Sequence, residues 1–144
     1  SLDARMQMLV ASSMGATAFQ RGLGGMHALA HPLGALYDAH HGMLNAILMP
    51  YVLKANQTVI TEKISRLALY IGLEGNFEAF LQWVLDLREQ LGIPHSLAAI
   101  GIDAEQAERI GRMATEDPTA GGNPIAFTAA EYSQLFKNAV RGEL

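Results

Sequence analysis

The sequence predicts an all-α fold, a compact multi-helix bundle of about six or seven helices in one domain. Three observations carry that prediction. Apolar residues recur at helical spacing through segment after segment. Strand-like alternation is nearly absent, and glycine and proline punctuate the helical runs. The 144 residues, half of them hydrophobic, suffice for one domain with a real core.

Taken in order, the first helix runs from about Asp3 to Arg21. Met6, Leu9, Val10, Met14 and Ala18 form its stripe, read as core filling. Gly22, Gly24 and Gly25 stop it. A second helix runs from near Gly25 to about Tyr37. Pro32 lacks the N–H that the ladder needs, so it is expected to bend or break this helix. A third begins at His40-His41-Gly42 and carries Leu44, Ile47, Leu48, Tyr51 and Val52. Pro50 should kink it, and the polar residues Lys54 and Asn56 mark its end. Thr58 to Gly72 reads as a separate amphipathic helix, with Ile60, Ile64, Leu67, Ala68 and Ile71 on one face.

The next helix spans Asn76 to Leu91. Phe77, Phe80, Leu81, Val84 and Leu87 point inward, with Trp83 beside the stripe. Gly92-Ile93-Pro94 is a connector, and His95 after it is isolated, in a structural or surface position. Asp103 with Gln106 reads as a capping box for a helix reaching Ala114. Thr128 with Glu131 reads the same way for the last helix, to about Val140. Between them lies a turn-rich loop, Glu116 to Pro124, punctuated by Asp-Pro and Asn-Pro.

Composition excludes several classes of function. The formal charge is −4, from ten Lys plus Arg against fourteen Asp plus Glu, with no basic patch, so no nucleic-acid partner is expected. Cysteine is absent, which removes disulfides, thiolate nucleophiles and cysteine-rich zinc sites. The longest apolar stretch, Met43 to Leu53, is interrupted by Asn45 and Pro50 and is too short to span a membrane. No signal peptide is visible, and a cytoplasmic location is the default expectation.

Chemistry concentrates in one stretch. Four of the five histidines, His27, His31, His40 and His41, fall within fifteen residues. From Gly22 to Met49 the only formal charge is Asp38. Such surroundings place imidazoles against a core rather than on a polar face. His27 and His31 are four residues apart and share a helical face. His41 can return to the same point if the chain turns after Pro32 and Gly34. Two readings fit this spacing: structural histidines, or a metal site with Asp38 as the one local carboxylate. No HExxH is present, and no G-x-G-x-x-G follows a predicted strand.

The run Gly24-Gly25-Met26-His27-Ala28-Leu29-Ala30-His31-Pro32-Leu33-Gly34-Ala35, followed by Tyr37 and His40-His41-Gly42-Met43-Leu44-Asn45-Ala46-Ile47-Leu48-Met49-Pro50, closely resembles the iron-containing alcohol dehydrogenase family. A weaker resemblance continues through Gly92-Ile93-Pro94 and Asp117 to Gly121-Gly122-Asn123-Pro124. The resemblance implies the helical domain of a dehydroquinate synthase-like fold. It implies that His27 and His41 are ligands of a catalytic divalent metal, iron(II) with zinc as the alternative. It implies that His31 lies beside the metal, near substrate and nicotinamide, without being a ligand.

The family's other two ligands, an aspartate and a histidine, come from a helix upstream of Ser1. Residues 1–144 thus resemble the C-terminal part of the helical metal-binding domain, without its beginning and without the nucleotide-binding domain. Some members carry a cysteine where Thr119 stands, which puts in doubt any substrate copied from them. The implied reaction of the intact enzyme is hydride transfer between NAD or NADP and a small alcohol, aldehyde or ketone. Two alternatives stand beside it: a reductase of a keto acid such as maleylacetate, and a non-catalytic helical module. The chain alone is expected to be inactive and to self-associate, because the first helix and the glycine–histidine stretch have lost their packing partners, with the charge-poor segment from Gly22 to Met49 as the expected contact.

Overall fold

The computed structural model describes all of residues 1–144. Six α-helices follow one another: α1 Leu2–Phe19, α2 Gly25–Tyr37, α3 His41–Tyr70, α4 Phe77–Gln90, α5 Ala107–Glu116 and α6 Ala129–Arg141. Two 3-10 turns, Leu97–Ile100 and Pro118–Gly122, flank α5. No strand is present, as the lack of alternation predicts.

The main core is one cluster. It joins Leu29 and Leu33 of α2, Leu44, Ile47 and Leu48 of α3, Ile110 of α5 and Phe136 of α6, all wholly buried. Each such side chain contributes roughly 1.5–3 kcal/mol by leaving water. A smaller cluster, Ala68, Phe80 and Val84, joins the far end of α3 to α4. Helix α5 crosses α6 closely at Gly111, where a Cβ would run into the Ala129 carbonyl. The glycine there is a packing requirement.

Proline does not break α2. The helix runs through Pro32, which is itself buried, as are Gly25, Ala28, Leu29, Ala30 and Leu33. Packing on both sides of the proline offsets the lost hydrogen bond. The same holds in α3, where the expected end at Lys54–Asn56 and a separate helix from Thr58 are both corrected. One helix of 30 residues runs through Pro50.

Two local devices explain that continuity. Pro50 deprives the Ala46 carbonyl of its ladder donor. Arg88 of α4 supplies one instead: Nη1 reaches the Ala46 carbonyl at 3.4 Å and the Ile47 carbonyl at 2.9 Å. Asn56 is not a helix stop but a buried side chain, donating to the Val52 carbonyl and pairing with Asn123. His95 is exposed and structural, in keeping with its isolation in the sequence. Its Nδ1 accepts from Arg88 Nη2 at 2.9 Å, and its Nε2 donates to the Gly142 carbonyl at 3.0 Å.

The bounds of α4 match the sequence reading, with Asn76 capping Ala79 N–H at 2.8 Å. The Thr128–Glu131 capping box forms. The one expected at Asp103–Gln106 does not. Asp103 instead accepts from Glu105 N–H, while Gln106 accepts from Arg109, and α5 starts at Ala107 without a side-chain cap. Helix α1 gives the largest correction. Its stripe, Met6, Leu9, Val10 and Met14, is exposed, and no residue of α1 is buried.

Candidate functional site

The histidine face is assembled by the α2–α3 hairpin. Helix α2 ends at Asp38, whose left-handed backbone, φ 50°, turns the chain. Asp tolerates that conformation better than most residues. Three residues later α3 begins at His41, with His40 as its N-cap. The His40 Nδ1 accepts from Met43 N–H at 3.2 Å.

Three rings meet across this hairpin. His27 and His31 lie one helical turn apart on α2, with ring centroids 5.9 Å apart. His41 sits 5.3 Å from His27 and 5.6 Å from His31, stacked on the latter. So the structure brings together the three residues that the sequence singles out. His40 is exposed, stands outside this trio and serves the helix start. Asp38, the carboxylate considered for a metal shell, is spent on the turn.

The carboxylate that does reach the histidines is Asp117. Its Oδ2 accepts from His31 Nδ1 at 2.8 Å, across 86 residues of sequence. An ionised carboxylate only accepts, so His31 carries a proton on Nδ1. The Asp117 side chain is 12% exposed, that of His31 42%. Thr119 fixes Asp117 from behind, through its N–H at 2.8 Å and its hydroxyl at 2.5 Å. Burial pushes the Asp117 carboxyl up, but the two Thr119 donors and His31 outweigh it and hold it below its ordinary value. Burial, then the neighbouring His41 and His31, push the His27 imidazole below its ordinary value.

A second link ties the loop to α2 and α3. Asn123 accepts from Gly25 N–H at 3.1 Å and from Asn56 Nδ2 at 2.9 Å, and donates back to Asn56 at 2.8 Å. Gly122 lets this loop pass against the Leu23 carbonyl, where no Cβ would fit. The loop carrying Asp117 is thereby held in place.

Asn45 completes the arrangement. Its Nδ2 lies 3.0 Å from His41 Nε2 and 3.3 Å from His27 Nε2, while its buried Oδ1 has no partner. Both imidazole Nε2 atoms therefore face one point. No group of three or more His, Cys, Asp or Glu side chains in the chain could hold a metal ion. The residues fit half of a metal shell: two converging neutral nitrogens, the donor type that iron and zinc both accept.

Fold and site together define a helical domain that presents paired imidazoles from two facing helices. A family model described as "Fe-containing alcohol dehydrogenase family, C-terminal" matches residues 1–140, and the chain belongs to that family. It is 35% identical to 4-hydroxybutyrate dehydrogenase of Cupriavidus necator, over 96% of this chain and 38% of that protein. It is 33% identical to lactaldehyde reductase of Escherichia coli K12, over 95% of this chain and 38% of the relative. Among solved structures, the alcohol dehydrogenase from Oenococcus oeni superposes with a TM-score of 0.87 and 33% identity, covering 96% of this chain and 38% of that one. The chain thus spans well under half the length of the relatives it matches.

Proposed function

We propose that this chain supplies half of the catalytic metal centre of an alcohol dehydrogenase. The reaction is hydride transfer between NAD or NADP and an alcohol, aldehyde or ketone. The observation that carries the reading is the convergence of His27 Nε2 and His41 Nε2 on one point, with the His31 ring beside them. His27 and His41 are the ligands, of iron(II) or else zinc(II). A divalent cation held there supplies the positive charge that acidifies an alcohol oxygen and polarises a carbonyl.

The chain's own residues do the rest. His31 holds its proton at Nδ1 against Asp117 and offers Nε2 to the proton of an alcohol. Asp117 keeps that ring in one orientation and steadies the charge it gains. Ala28, Leu29 and Ala30, wholly buried in the core, anchor the stretch of α2 between His27 and His31. The remaining ligands and the nucleotide platform belong to a preceding segment. Support for that is the match to a C-terminal family model and the 38% coverage of the relatives. A keto-acid substrate is the second reading. The maleylacetate reductase from Agrobacterium tumefaciens superposes with a TM-score of 0.66 and 29% identity, over 85% of this chain and 33% of that one.

The test uses the intact protein with metal content and turnover measured on the same samples. His27→Ala and His41→Ala should each lose most bound metal and activity together. His31→Ala should keep metal and lower turnover by about 100-fold or more, the usual contribution of a positioned acid–base group. The assignment fails if His31→Ala empties the site while His41→Ala keeps both metal and rate. The 144-residue chain by itself should show no turnover with either nicotinamide cofactor, iron(II) and short alcohols.

A further inference from the structure

We propose that Asn45 is a positioning residue that fixes the tautomer of His27 and His41, keeping both Nε2 atoms unprotonated and aimed at one point. The proposal rests on the reading of these two histidines as metal ligands. Asn45 lies four residues after His41 on α3, so the two share a face. His27 comes in from α2, eighteen residues earlier in sequence. One amide nitrogen carries two hydrogens, and here it meets two imidazole nitrogens at 3.0 and 3.3 Å. The stoichiometry matches: one hydrogen for each lone pair.

The opposite amide orientation fares worse. It would turn Oδ1 toward two ring nitrogens and bury the amide's two donor hydrogens where Oδ1 now lies without a partner. One under-satisfied carbonyl is better tolerated than two orphaned N–H groups. With the amide as it stands, both rings must carry their proton on Nδ1. Which nitrogen is protonated is set by the hydrogen bond that the other makes. A divalent cation takes the same unprotonated nitrogen, so the tautomer is preset for it and only the amide has to give way.

The unpartnered Oδ1 argues that Asn45 is not there for packing. A leucine of similar shape would fill the same space without burying an orphaned acceptor. The arrangement accepts that cost and gains two oriented imidazoles.

The test is nitrogen NMR on the intact protein, labelled at histidine, stripped of metal and held at about pH 8, above the ordinary imidazole pKa. His27→Ala and His41→Ala assign the signals. In the unsubstituted protein both rings should show an unprotonated Nε2 and a protonated Nδ1. Asn45→Leu should release them to a mixture of tautomers. Asn45→Asp should reverse them, because a carboxylate can only accept and so draws the proton to Nε2. Zinc(II) is then titrated into each sample. It should displace the amide and move both Nε2 signals of the unsubstituted protein.

A protonated Nε2 on either ring before substitution would overturn the proposal. So would spectra unchanged by both Asn45 variants. Asn45→Asp has nearly the shape of the original, so it carries the test alone if Asn45→Leu does not fold. Zinc that leaves the unsubstituted Nε2 signals unmoved overturns the ligand reading and the role built on it. That outcome appears in the titration, apart from the tautomer spectrum.

Discussion

Helices α1 and α2 are neighbours in sequence, both apolar, and they end in opposite situations. Met6, Met8, Leu9, Val10, Met14 and Phe19 of α1 are each more than half exposed. Ala28, Leu29, Ala30 and Leu33 of α2 are wholly buried. Composition does not separate the two. Partners do: α2 packs on α3 and α5, while α1 buries nothing. A helical pattern states which face a helix would bury, not what it buries that face against. We read the bare face of α1 as a contact for chain beyond these residues, or for a second copy when that chain is missing.

The contrast can be broken by one pair of substitutions. Leu29→Ala should cost about 2–5 kcal/mol, read from urea unfolding of the 144-residue chain. Leu9→Ser in the same chain should change stability by no more than about 0.5 kcal/mol, as at ordinary surface positions. It should also weaken self-association in light scattering. If a preceding segment packs on α1 in a longer protein, Leu9→Ser should become destabilising there. An equal loss from both substitutions in the 144-residue chain would show that α1 is part of the core after all.

Local signals in the sequence were good guides where the physics is local. The α4 cap at Asn76 and the Thr128–Glu131 box each involve residues three positions apart, and both form. The histidine set was legible from one helical turn and a turn-forming break. What escaped was long-range. Asp117 meets His31 across 86 residues, and Asn123 meets Asn56 across 67. Nothing in the spacing of Asp38 or Asp117 says which carboxylate arrives. The continuity of α3 through Pro50 and past Asn56 escaped for a similar reason. The remedy, Arg88, lies on another helix, 42 residues beyond the carbonyl that the proline orphans. Asn45 was visible within the motif, yet only the fold shows that its amide faces two rings.

Asp117 sharpens the comparison at the rim of the site, where α2 is tied down as α1 is not. Its folded pKa lies below the ordinary carboxylate value. Such a group contributes stability that is fully present above its unfolded pKa, about 4. The contribution is lost as pH falls through the depressed folded value. Asp117→Asn should therefore lower the melting temperature at neutral pH by a few degrees. It should also flatten the further loss on acidification below about pH 4. Melting curves of both proteins across that range decide it. Parallel curves would mean that the carboxylate is not held as the structure shows.

The smallest expected effect separates two adjacent histidines. His40 and His41 sit on either side of the start of α3, one as cap and one as its first residue. The His40 ring Nδ1 accepts from Met43 N–H, one of the four N–H groups that a helix start leaves without a ladder partner. Losing that acceptor should cost about 1 kcal/mol, the usual scale of an N-cap, so His40→Ala should melt slightly lower. His40→Asn should restore the loss, because asparagine is a strong capping residue. Neither change removes a nitrogen that faces Asn45, so bound metal in the intact protein should match that of the unsubstituted protein. His41→Ala makes the reverse trade: it leaves the cap in place and deletes one of the two converging Nε2 atoms. Melting temperature and metal content on the same three variants therefore move independently if the two neighbours do different work. If His40→Ala loses metal in proportion to His41→Ala, the cap and the ligand are not separable, and the start of α3 would have to be counted as part of the site.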